Sequence, residues 1–198
     1  HLDLHSFPTR RSSDLHKMLT RKRYSEIQQK AIELIDKAGI YITPAEREKI
    51  AVADFGLSDI YSEGIQVLTF FETDRIAGKI LVLLPNQTEP EHWHPPVESD
   101  PGKQEIIRAL WGNLRFYVEG NDNMADGFIP AGREDFYLLR HEIILKPGDQ
   151  LVFQPGDKHW FQAGPEGAVM YSFSTTVRDV LDGFTNPNIV RETKITED

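Results

Sequence analysis

The sequence predicts a mainly β fold, a jelly-roll sandwich or barrel with helices at its N-terminal side. Three observations carry that prediction. From Gly64 onward the chain breaks into eight short segments rich in β-branched and aromatic residues, at 65–71, 79–84, 105–110, 114–118, 136–145, 150–154, 159–163 and 168–174. Turn-forming residues separate them, among them Pro85-Asn86, Pro101-Gly102, Gly112-Asn113, Pro147-Gly148-Asp149, Pro155-Gly156-Asp157 and Gly164-Pro165. No helical pattern alternates with these strands, so nothing argues for a parallel sheet with crossover helices.

Two helices come first. Ser25 with Gln28 three positions later reads as a capping box. Ile27, Ala31, Ile32, Leu34 and Ile35 then form an apolar stripe, and Gly39 stops it. The basic cluster Arg21, Lys22 and Arg23 precedes this helix and reads as solvated surface. Thr43 with Glu46, and Pro44 at the first helical position, begin a second helix expected to run to about Ala53. Residues 18–63 therefore form a helical arm, and 64–198 a barrel with a polar tail anchored by Phe184 and Pro187. Residues 1–17, HLDLHSFPTRRSSDLHK, lack periodicity and lack the apolar centre of a signal peptide. Their SFPTRRSSDL stretch is similar to translated adapter or linker sequence. A non-native or disordered leader is expected there, with Met18 as the native start and no function for His1, His5 or His16.

Composition excludes several classes of function. The formal charge is −9 with acidic residues spread along the chain, which argues against a nucleic-acid partner. No apolar run approaches a membrane span, so no membrane partner is expected. The absence of cysteine removes disulfides, thiolate ligands and a cysteine nucleophile, and fits a reducing, cytoplasmic setting.

The chemistry concentrates in four residues. His92 and His94 stand as His-Trp-His, and side chains two apart on a strand share a face, so both can point inward while Trp93 points out. Glu105 and His159 follow on later strands. Three imidazoles and a carboxylate suit a divalent Mn, Fe, Co, Ni or Zn, and a metal with open positions can do chemistry. Six residues separate Glu105 from Gly112, and Gly148, Pro155, Gly156 and His159 follow downstream. This pattern resembles the paired motifs of the cupins, which implies a single-domain cupin jelly-roll β-barrel. The sequence departs from those motifs twice. Ten residues, PPVESDPGKQ, lie between His94 and Glu105 where cupins have a few, and Pro155 directly precedes Gly156. The first departure makes Glu98 a competitor for the fourth ligand. Glu105 is preferred because it begins an apolar strand and keeps the glycine spacing, whereas Glu98 sits among prolines and a glycine. His141, beside Glu142, lacks comparable partners and reads as structural or surface. A metal-free cupin with these histidines in its core is the plain alternative.

Longer blocks narrow the resemblance. KAGIYITPAE, FETDR, EHWHPPVESDPGKQE, GNLRFYVEG, PGDKHWFQAGPEGAV and FTNP are similar to the D-lyxose isomerase family of small cupins, over about Tyr24 to Ile189. That resemblance implies a metal-dependent ketol-isomerase interconverting D-lyxose and D-xylulose through a cis-enediol. It implies manganese as cofactor, with His92, His94, Glu105 and His159 as ligands, and a small-molecule sugar as partner. Small cupins commonly pair, and a homodimer is expected. Lys79, in an otherwise apolar strand, either reaches into the barrel as a catalytic group or snorkels to the surface. Lys103, beside Glu105, is a candidate to hold a sugar hydroxyl or the enediolate. Asp179 and Asp182 lie in a matching segment able to close over the site, Asp182 as a catalytic and Asp179 as a substrate-binding candidate. Phe161 shares the face of His159 and is a candidate to pack against the sugar, while Trp160 belongs in the outer layer. Two other readings stay open: an iron-dependent cupin dioxygenase and a non-catalytic sugar-binding cupin.

Overall fold

Thr20, rather than Ser25, caps the first helix. In the computed structural model, which describes residues 18–197, strand β1 (Leu19–Thr20) leads directly into α1 (Arg21–Lys37), and the Thr20 hydroxyl accepts from the Arg23 amide at 3.1 Å. Arg21, Lys22 and Arg23 are thus the first helical turn, not a segment before it. Gly39, at φ +73°, lies just past the helix end, where a left-handed residue is needed. The second helix, α2 (Pro44–Glu48), has the expected Thr43–Glu46 capping box but ends at Glu48 rather than near Ala53. Ala51–Ala53 instead forms strand β2, because Val52 is buried and the segment pairs with β3 (Ile65–Glu72). The expectations for residues 1–17 lie outside the described residues.

The remaining strands are β4 (Ile76–Leu83), β5 (Thr88–Trp93), β6 (Glu105–Trp111), β7 (Leu114–Val118), β8 (His141–Leu145), β9 (Gln150–Phe153), β10 (His159–Ala163), β11 (Ala168–Thr175), β12 (Gly183–Phe184) and β13 (Ile195–Thr196). They build a six-stranded sheet in the order β2-β3-β4-β11-β6-β9, a five-stranded sheet in the order β12-β5-β10-β7-β8, and the parallel pair β1-β13. The jelly-roll is thus two antiparallel sheets face to face. Between them pack Leu81, Ile107, Ala109 and Met170 from the larger sheet and Phe116, Phe161 and Ala163 from the smaller. Outside the larger sheet, Ile27, Ala31 and Ile35 of α1 cover Leu68, Ile80 and Val82. Each such buried Ile or Leu contributes roughly 1.5–3 kcal/mol.

One expected strand is divided. Residues 136–145 do not run as one strand: a 3-10 turn spans Glu134–Phe136 and β8 begins only at His141. The amides of Leu138 and Leu139 donate to the buried carboxylate of Glu91 at 2.7 and 2.9 Å, so no ladder claims them. Glu63 likewise accepts from Tyr137 and Arg133, and Glu142 from Tyr117 and the amides of Ala125, Asp126 and Gly127. Three carboxylates thereby fasten the long excursion between β7 and β8. Among the described residues, no helix is long and apolar enough to cross a membrane.

Candidate active site

The inner face of β5 and β10 carries the site. His92 pairs in register with His159, and His94 follows directly after β5, its carbonyl accepting from the Gly156 amide at 3.0 Å. One ring nitrogen from each of His92, His94 and His159 lies within 4.8 Å of the others, and all three residues are buried. Each Nδ1 has an acceptor: the Pro90 carbonyl at 2.8 Å for His92, Asp182 at 2.8 Å for His94, and the Asp157 carbonyl at 3.0 Å for His159. Carbonyl oxygens only accept, so Nδ1 carries the hydrogen in His92 and His159, and Nε2 offers a lone pair. This is the outer hydrogen bonding that fixes imidazoles as metal ligands. Phe153 stacks on His159 with centroids 4.0 Å apart, and Phe184 lies 5.8 Å from His92, further limiting ring rotation.

Glu105 opens β6 and is buried beside this group. Its Oε2 is 3.1 Å from His94 Nε2 and 3.7 Å from Lys103 Nζ, and the Ser172 hydroxyl donates to Oε1. Glu98, its competitor in the sequence, is exposed in a turn at φ 52°. His141 lies outside the histidine group, its Nδ1 2.9 Å from the Asn121 carbonyl.

Burial, then the charge near His159 and His94, pushes His92 well below its ordinary range. Burial and the neighbouring His94 lower His159 to about 4. His94 moves the other way: burial opposes its charge, but hydrogen bonds to Asp182 and Glu105 prevail and raise it to about 9. Burial alone would raise Glu105, yet Lys103 and His94 hold it well below the carboxylate range. The set therefore offers two neutral imidazoles, an ionised carboxylate and, once His94 gives up its proton, a third imidazole, a donor set that fits a divalent first-row ion.

Beside the histidines lies a cavity of about 30 Å³, lined also by Lys79, Lys103, Phe161, Asp179, Asp182, Glu89 and Arg191. Lys79 faces inward, 5% exposed, and donates to Asp179 at 2.5 Å. Asp179 also receives Lys103 at 3.3 Å and Arg191 at 3.6 Å. Burial would raise the Asp179 carboxyl, but Lys103 and Lys79 bring it down to about 2. Burial likewise opposes the Lys103 ammonium, while Glu105, Asp179 and Asp182 hold its pKa above the usual lysine value. The segment around the 3-10 turn Asp179–Leu181 is thus pinned over the cavity by three cations. Trp160 faces outward, stacked on Tyr117 at 3.6 Å with its indole donating to the Leu139 carbonyl.

All nine sequence candidates line or border this one site. Besides apolar wall residues, two charged lining residues were missed, Glu89 and Arg191. Strand parity places Glu89 with Trp93 on the outer face, but the β5–β10 register shifts between the pairs His159–His92 and Phe161–Glu89. That bulge turns Glu89 inward. Pro90, a residue confined to edges and bulges in sheets, was the available signal. Arg191 comes from a tail without periodicity, and no local signal marked it.

A two-sheet jelly-roll with three histidines converging on its inner face, beneath a pocket of paired charges, defines a single-domain cupin with a candidate metal centre. No protein-family model matches the chain. It is 47% identical over 169 residues to a D-lyxose ketol-isomerase of Cohnella laeviribosi, covering 85% of this chain and 93% of that one. It is also 47% identical over 175 residues to a D-lyxose/D-mannose isomerase of Thermosediminibacter oceani, covering 88% and 97%. An L-ribose isomerase structure from Cellulomonas parahominis shares the fold with a TM-score of 0.77 at 17% identity, over 91% of this chain and 99% of that chain. The chain belongs to the D-lyxose ketol-isomerase family.

Proposed function

We propose that this protein is a metal-dependent aldose–ketose isomerase that interconverts D-lyxose and D-xylulose through a cis-enediol intermediate. The observation that carries the reading is the convergence of His92, His94 and His159, each with its Nδ1 held by an acceptor. In this reading His92, His94, Glu105 and His159 hold a divalent ion, manganese in preference to iron, cobalt, nickel or zinc. Such an ion supplies Lewis-acid polarisation of adjacent substrate oxygens.

The chain's own residues supply the rest. Lys103, an ammonium kept charged by its neighbours, hydrogen-bonds the oxygen on which negative charge develops. Lys79 holds a second sugar oxygen. Asp182 acts through His94 as a positioning residue. Phe161, 2% exposed and lining the cavity, packs against the carbon face of the sugar. Asp179 binds substrate and closes the site. In this reading the Asp179 segment, packed against a cavity of about 30 Å³, is the part of the wall that opens to admit the sugar. The reading also carries a cytoplasmic homodimer.

A panel of D-lyxose, D-mannose, D-xylose and D-ribose tests the reaction, with ketose formation and oxygen consumption followed together in manganese-loaded and in iron-loaded protein. Ketose from D-lyxose without oxygen uptake is expected. Oxygen uptake with the iron-loaded protein would establish the dioxygenase, and sugar binding without turnover the sugar-binding cupin.

A further inference from the structure

Glu89 differs from every other acid in the cavity. Asp182 accepts from His94, Glu105 is held by His94 and Ser172, and Asp179 is clamped by Lys79, Lys103 and Arg191. Among the described residues, no hydrogen bond or ion pair reaches the Glu89 carboxyl, although it is only 8% exposed and lines the cavity beside His92. The β5 bulge at Pro90 brings it there, opposite Phe161 across the β5–β10 ladder. A buried carboxyl without a partner works against folding, and a bulge that aims one inward is a feature found next to active sites.

We propose that Glu89 is the acid–base group of the isomerisation, carrying a proton between C2 and C1 of the bound sugar. This rests on the isomerase reading above. In the aldose-to-ketose direction the Glu89 carboxylate takes the proton from C2. The C2–H electron pair becomes the C1=C2 bond of the enediol, and O1 gains a proton as the carbonyl opens. Glu89 then returns its proton to C1 while O2 loses its proton and the C2 carbonyl forms. One proton has moved from C2 to C1 and one from O2 to O1, and nothing else is gained or lost.

The other titratable groups are committed elsewhere. Lys79 and Lys103 are bound as cations to Asp179, Asp182 orients a histidine, and Glu105 is held ionised by Lys103 and His94. In the ion-free protein burial, opposed by Arg191, raises the Glu89 carboxyl, which favours a group that gives its proton back after taking it.

The test compares wild type, Glu89→Gln and Glu89→Asp in the manganese-loaded full chain, with D-lyxose as substrate. Four quantities are measured: kcat, KM, bound manganese, and deuterium incorporation from D2O into sugar C1 and C2 by NMR. Glu89→Gln is expected to lower kcat by about 10²–10⁴-fold and to abolish carbon–deuterium exchange. Its manganese content should stay unchanged, and its melting temperature should equal or exceed that of wild type, since an unpaired buried acid has gone. Glu89→Asp, which keeps a carboxyl, is expected to recover at least about tenfold of the lost rate. A Glu89→Gln kcat within about tenfold of wild type, or loss of manganese and fold together with activity, overturns the proposal. Wild-type protein that makes no ketose from any aldose overturns both this proposal and the isomerase reading. An active wild type with an active Glu89→Gln overturns this one alone.

Discussion

A proton and a metal ion compete for His94, and the competition has a measurable size. Hydrogen bonds to Asp182 and Glu105 raise His94 to about 9 against its own burial. At pH 7 the ring is two units below that value, so about 99% of it is protonated before metal arrives. Displacing the proton costs roughly 3 kcal/mol, or about a hundredfold in affinity. His92 and His159 are lowered and Glu105 is ionised, so none of them adds a proton near neutrality. Apparent manganese affinity should therefore rise about tenfold per pH unit, roughly a hundredfold between pH 6 and 8. Calorimetric titrations at pH 7, in two buffers of different ionisation enthalpy, should show about one proton released per ion bound. The same shift bears on folding. A raised folded-state pKa stabilises the ion-free protein fully below the ordinary 6.5, and that stabilisation is lost as pH rises through about 9. Affinity that is flat from pH 6 to 8, with no proton release, would refute this account of the site.

Other substitutions probe separate parts of the structure. Asp182→Ala removes the acceptor that orients His94, and should weaken manganese binding about 10–100-fold while leaving the fold intact, as read by metal titration and circular dichroism. Glu91→Ala strips a carboxylate shared by Leu138, Leu139 and Thr185, and should cost about 3–5 kcal/mol in chemical denaturation. Ile35→Ala, at a fully buried position of α1 against the larger sheet, should cost about 2–5 kcal/mol in the same assay with manganese binding unchanged.

Much of the fold was legible because periodicity reports burial. The α1 stripe lies against the sheet as its spacing required, and most of the short β segments became strands. The departures have local causes. Thr20 outcompeted Ser25 as cap because the helix starts a turn earlier, which only the backbone path reveals. Residues 137–140 have the composition of a strand, but the Leu138 and Leu139 amides are taken by the Glu91 carboxylate, a partner far away in sequence. At the site, His-x-His parity was readable because His92 and His94 lie on the same side of the bulge. Glu89 lies on the other side, where one extra residue inverts the parity. Lys79 was ambiguous in sequence between cavity and surface, and the carboxylate that holds it inward is a hundred residues away.

The central claim is that the three-histidine centre is a divalent-metal site on which an aldose is turned over. Its most direct test is to strip the protein with chelator, titrate manganese back, and follow D-xylulose formed from D-lyxose in wild type and in His94→Ala. The account predicts that activity vanishes on stripping and returns in proportion to manganese, up to one ion per chain. It also predicts that folded His94→Ala neither binds the ion nor regains activity. Turnover that survives complete chelation, or a fully active His94→Ala, would contradict it.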